Sequence, residues 1–99
     1  MNARELDIDA LVLRRGAHAS PSDGLCINEA TAYVAGEPHT DSPACVSLVI
    51  GAFTRQWNDD LNDTDRQRLK PYIKRIIGTR STLSVEKKRA WMFTDSLIR

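Results

Sequence analysis

Helix boundaries recur along this chain, so short helices are expected. Gly36 precedes Pro38 by two residues, Ser42 stands directly before Pro43, Pro71 interrupts a charged segment and Gly78 closes it. Glycine takes the left-handed turn that ends a helix, whereas proline lacks an amide proton and clashes with the preceding turn, so each of these positions marks where a helix stops, breaks or begins. The 99 residues are enough for one domain with one core, residues 1–99, and apolar residues at 41% with charged residues at 27% are ordinary globular usage. No apolar run reaches the 18 residues of a membrane span, and "MNARELDIDALVLRRG" carries acids where a signal peptide needs bases. A cytoplasmic chain with free thiols is therefore expected, with no Cys26–Cys45 disulfide.

The segments between the stops read as helices. "LDIDALVLRR", residues 6–15, alternates at Leu6, Ile8 and Ala10 and then becomes a solid apolar run; a short helix capped by Asp7 or Asp9 is expected. "GAHASPSDG", residues 16–24, is a loop holding His18. A helix from Ser22 or Asp23 to Ala35 puts Cys26, Ala30 and Tyr33 on its inner face, with Ile27 and Val34 beside them. Ser42 and Pro43 are expected to open a third helix running to Trp57. Cys45, Val46, Leu48, Val49, Ile50, Ala52 and Phe53 surround it, which marks it as the buried central helix.

Asp63 or Thr64 can cap a helix ending at Gly78, lined by Leu69, Tyr72, Ile73 and Ile76 and kinked or divided at Pro71. A last helix from Ser84 carries Val85, Trp91, Met92 and Ile98 among Lys87, Lys88 and Arg89. The sum is an all-α fold, a compact single domain of four or five short helices around a central apolar helix.

Both cysteines and both histidines fall within residues 18–45, and three kinds of chemistry fit that concentration. His18, Cys26, His39 and Cys45 are the donor types tetrahedral zinc takes. Their spacings of seven, twelve and five residues lack the close ligand pair of ordinary zinc sites. Cys26 in the first turn of a helix could be a thiolate nucleophile, with His18 or His39 as base and Glu29 or Asp41 as orienter. The third reading is structural and is the preferred one: His18, Cys26, Glu29, His39, Asp41 and Cys45 fasten loops onto helices, with no metal, cofactor or catalytic residue. There is no phosphate-binding glycine loop, H-E-x-x-H or G-x-S-x-G motif, and the adjacent acids Asp59 and Asp60 read as a solvated turn.

Charge is segregated along the chain. Residues 1–63 hold four basic and ten acidic side chains, and residues 64–99 hold ten basic and three acidic, although the net charge is only +1. Arg66, Lys70, Lys74, Arg75, Arg80, Lys87, Lys88 and Arg89 could form a surface for nucleic-acid phosphates or an acidic partner. Two oppositely charged halves that pack on each other, or on a second copy, are an equal use of the same pattern. Trp57, Trp91, Met92 and Phe93 add apolar surface for a partner or a second subunit.

Two resemblances bear on these readings. The Asp-Gly-Leu-Cys string at residues 23–26 resembles the nucleophile turn of ovarian-tumour-type deubiquitinases, a family whose catalytic histidine lies well downstream on a sheet; here no histidine follows His39. Across residues 16–99 the pattern G-x-H, G-x-C-x-x-E-A, A-Y-x-A-G-E-P, D-x-P-A-C and W-N-D is similar to a family of uncharacterised proteins from actinobacteria and their phages. That resemblance brings no established activity; it implies a small cytoplasmic accessory protein of phage or mobile-element origin. Its members tend to continue past this last helix, implying a short member or a trimmed chain, and Lys74 stands where proline is common among them. The expected function is non-enzymatic binding, to a host or viral protein first and to nucleic acid second. A Cys26 hydrolase is the remaining alternative.

Overall fold

The computed structural model describes the backbone of residues 8–98 and the side chains of residues 8–92. The described chain is all-α: α1 (Ile27–Ala35), α2 (Leu48–Asp60), α3 (Asp63–Arg66), α4 (Tyr72–Arg75) and α5 (Leu83–Ile98), with 3-10 turns at Pro21–Asp23 and Gln67–Leu69.

The central helix is α1, where the sequence pattern pointed to the helix after Pro43. Ile27 through Ala32 and Val34 are all buried. The helix begins later than expected, because Pro21–Asp23 close a separate turn that ends at Gly24. Gly24 has φ +136, a conformation that favours glycine, and a Cβ there would lie 2.8 Å from Arg14 Cδ and 3.1 Å from His18 Nε2, so a side chain would also have to displace Arg14 and press on the His18 ring. Cys26 is thus the N-cap rather than a first-turn residue. At the other end Gly36 adopts φ 79, and the Glu37 amide donates back to Ala32 O at 2.9 Å, the left-handed stop that the sequence signalled.

Leu13, Leu25, Ile27, Ala30, Val34, Leu69 and Ile73 form the core, with Ile8, Leu11, Leu61 and Ile77 packed around it. Of the four residues expected to line the segment after Asp63, Leu69, Ile73 and Ile76 are buried and Tyr72 is exposed. Pro71 divides that segment into α3, a 3-10 turn and α4, and Asn62, not Asp63 or Thr64, caps it by accepting the Asp65 amide at 2.8 Å.

Helix α2 departs most from expectation. It starts at Leu48, capped by Ser47, while Pro43 sits in a preceding turn closed by the Val46 amide donating to Pro43 O. Its buried face is Gly51, Thr54 and Asn58, whereas Leu48, Phe53 and Trp57 are exposed. The reason lies in α1, which presents the buried Asn28 to it: Asn28 Nδ2 donates to Gly51 O at 2.9 Å, and Thr54 Oγ1 donates to Asn28 Oδ1 at 2.8 Å. A polar contact of this kind selects small and polar residues against it, which hydropathy alone cannot anticipate.

The expected helix at residues 6–15 begins outside the described residues. From Ile8 the chain makes a turn and then runs extended, with Leu13 in an isolated parallel bridge to Leu25. Gln67 occupies the other edge, accepting the Leu13 amide at 2.7 Å and donating to Leu13 O at 3.0 Å. One side-chain amide thereby replaces a neighbouring strand and holds the segment extended. At the far end α5 begins at Leu83, with the Val85 amide donating to Thr82 Oγ1. The side chains of Phe93, Leu97 and Ile98 lie outside the described ones. Among the described residues no helix is long and apolar enough to cross a membrane.

Candidate functional site

Glu29 is the centre of the site. Its carboxylate is 1% exposed and lies at the third position of α1, facing back over the N-terminus of its own helix. The Cys26 amide donates to Oε1 at 2.9 Å, and Cys26 Sγ in turn accepts the Glu29 amide at 3.5 Å, a capping box in which cysteine stands where serine or threonine is usual. The loop before α1 adds the His18 amide, donating to Oε2 at 2.7 Å, and His18 Nδ1, 2.8 Å from Oε1. The loop after α1 adds His39, whose Nε2 lies 3.1 Å from Oε2 and 2.7 Å from His18 O. Both neighbours of His39 Nε2 are acceptors, so that nitrogen carries the proton; by the same reasoning His18 carries one on Nδ1.

This geometry sets the electrostatics. Burial works to raise the Glu29 carboxyl, but the hydrogen bonds from the Cys26 amide and from His18 outweigh it and hold the group below the ordinary carboxylate value. Burial, reinforced by the charge of Glu29, pushes the Cys26 thiol up to about 12. The thiolate expected from a helix N-terminus is therefore replaced by a neutral thiol: the Glu29 amide still donates to the sulfur, but burial outweighs it.

The remaining members of the expected cluster lie elsewhere. Asp41 contributes its main-chain oxygen, which accepts Arg55 Nη1 at 3.2 Å. Cys45 belongs to a second fastening: Glu37 accepts the amides of Ala44 at 2.7 Å and Cys45 at 3.0 Å, and Cys45 O accepts the Gly78 and Arg80 amides. Burial first, then the bond to Glu37, raises the Cys45 thiol. Both cysteines are free. Among the described residues no group of three His, Cys, Asp or Glu side chains is arranged to hold a metal ion, so the four zinc-type donors are not brought together.

The eight basic residues divide. Arg66 does not belong to a binding surface: it is 2% exposed, and it donates to Asn58 O at 2.6 Å, to Leu61 O and to Asp63. Arg80 donates to Val46 O at 2.8 Å and Pro43 O at 3.2 Å, Arg89 to Thr79 O at 2.7 Å, and Lys70 to Asp9 O at 3.1 Å. Arg75 lies over the Tyr72 ring, 5.7 Å from its centroid. Lys74, Lys87 and Lys88 are exposed. The arginine fork suits the several carbonyl oxygens left at turns and helix ends, and that is where most of the guanidinium groups are used.

Sequence reasoning missed three side chains that join the elements around the site. Asn58 accepts the Ile27 amide at 3.1 Å and donates to Arg14 O at 3.0 Å, tying α2 to the start of α1 and to the N-terminal segment. Glu37 follows the left-handed Gly36, which marks its amide as the one that turns back to α1 but does not signal that its carboxylate takes the Ala44 and Cys45 amides. Glu86 accepts Ser47 Oγ and, at 3.0 Å, the Leu48 amide, so α5 caps α2 with a carboxylate. The bond from Ser47, foremost, holds the Glu86 carboxyl below its ordinary value. No local pattern signals Asn58 or Glu86. No family model, curated protein or solved structure matches the chain.

Proposed function

We propose that the chain is a non-enzymatic binding module that works by protein–protein contact through the outer face of α5. The supporting observation is the exposure of that helix. Of its ten described side chains, residues 83–92, only Glu86 is buried, whereas Trp91 is 75% and Met92 69% exposed, with Leu83 and Val85 also exposed. A single exposed apolar residue is ordinary; a large aromatic and a methionine in succession on one helix, with no described side chain covering them, form the kind of anchor that interfaces use. The resemblance of residues 16–99 to actinobacterial and phage proteins supports a cytoplasmic accessory protein, with a host or viral protein as its target.

The test is a photoreactive amino acid at position 91, compared with one at the exposed Ser22, irradiated in the native host. A discrete protein adduct specific to position 91 is the expected result, and absence of any protein adduct there refutes the reading. Non-specific nucleic-acid binding is a second reading, favoured by the exposure of Lys74, Lys87 and Lys88. It requires binding to random-sequence DNA that weakens with salt and with charge reversal at Lys87 and Lys88.

A further inference from the structure

We infer that α5 is a displaceable arm, clasped to the body of the protein by the Glu86 carboxylate and able to swing away about Ser81 while the rest of the fold stays intact. The device is independent of what α5 binds. Its base is firmly anchored. The Gly78 and Arg80 amides donate to Cys45 O at 3.0 and 3.1 Å, and the Arg80 guanidinium reaches Val46 O at 2.8 Å and Pro43 O at 3.2 Å. From Thr82 onward the bonds turn inward to the helix: Thr82 Oγ1 accepts the Val85 amide at 3.3 Å, and Thr82 O accepts the Glu86 amide at 3.0 Å. The exposed Ser81 lies between these two sets, a joint of the kind that absorbs a hinge rotation.

The clasp itself is polar. Leu83, Val85, Trp91 and Met92 are all exposed, so the large apolar side chains described on α5 add little burial against the body. Glu86 is instead buried, accepting Ser47 Oγ and the Leu48 amide, and Arg89 Nη1 donates to Thr79 O at 2.7 Å. Opening exchanges these bonds for bonds to water, and the net cost of such an exchange is small. Helix α1 has no such exit: withdrawing Ile27, Ala30 and Val34 from the core exposes apolar surface that water does not compensate. An element with little buried apolar surface opens below the free energy of global unfolding. Once released, α5 has 16 residues, near the length at which an isolated helix is marginal, so its amides meet solvent at each opening.

Hydrogen exchange of the full chain at neutral pH, read by mass spectrometry with and without low urea, tests this. Amides of residues 87–92 are expected to exchange as a group about a hundredfold faster than those of residues 30–34 in α1. Their urea dependence should also be weaker, because a local opening exposes less surface than global unfolding. Glu86→Gln keeps the shape of the clasp but removes its charge, and it should speed α5 exchange about tenfold while leaving α1 unchanged. Lys88→Gln, at an exposed position on the same helix, should change neither. One shared rate and urea dependence for α5 and α1 overturns the inference. So does a Glu86→Gln variant that accelerates both helices alike, accelerates neither, unfolds the chain or acts no more strongly than Lys88→Gln.

Discussion

His39 Nε2 meets the main-chain oxygen of His18 at 2.7 Å, joining residues 21 apart in the chain across the carboxylate of Glu29. The contact makes the two loops flanking α1 one unit. Removing the carboxylate leaves two amide donors and two imidazoles facing each other in a buried space, and each unsatisfied buried donor costs about 1–3 kcal/mol. Glu29→Ala is therefore expected to lose roughly 4 kcal/mol in denaturant unfolding, and His39→Ala about 1–2 kcal/mol. A stability unchanged in both variants would show that the cluster does not fasten the loops.

Acid should unfold the protein through its carboxylates. Glu29, Glu37 and Glu86 all titrate below the ordinary value of 4.5 in the folded state. Below 4.5 the unfolded chain then binds more protons than the folded one, so stability falls with falling pH. The contribution is fully present above 4.5 and is lost as pH drops through the folded values. Glu29→Gln should show a shallower acid slope than wild type when stability is measured by urea unfolding at stepped pH.

Thiol chemistry provides a direct check on the buried cap. With its thiol pushed up to about 12, Cys26 holds almost no thiolate at neutral pH and should alkylate far more slowly than free cysteine until the protein is unfolded. Cys45, half-buried, should react before Cys26. Mass mapping of the modified residues over time would reveal the order, and a Cys26 rate above that of free cysteine would revive the nucleophile reading.

Asn58 is expected to be as sensitive as any apolar core residue. Asn58→Ala leaves the Ile27 amide and the Arg14 carbonyl without their partner, and a loss of about 2–4 kcal/mol follows. Asn58→Asp keeps an acceptor for Ile27 but removes the donor to Arg14 and introduces a buried charge, so it should be no better. Thermal melting of the two variants distinguishes this from a surface asparagine, whose replacement shifts stability by less than about 0.5 kcal/mol.

The sequence by itself determined the all-α class, the left-handed stop at Gly36, the break at Pro71 and the buried trio Leu69, Ile73 and Ile76, because each depends on backbone sterics or on helical period within a few residues. It also pointed to His18, Cys26, Glu29 and His39 among the residues that fasten loops onto a helix, and these four do meet. Only the tertiary structure decided that α1 is the central helix and that α2 turns Gly51, Thr54 and Asn58 inward while Phe53 and Trp57 face outward. The same holds for the withdrawal of Arg66 into the interior and for Cys45 and Asp41 leaving the cluster. In these cases the partner is a main-chain or side-chain group that becomes near only when the helices pack: Gln67 bonds Leu13 across 54 residues, Asn58 bonds Ile27 across 31, and Glu86 bonds Ser47 across 39. Hydropathy ranks a residue by its own transfer free energy, whereas a buried polar side chain is placed by the donors and acceptors that the rest of the fold leaves unsatisfied.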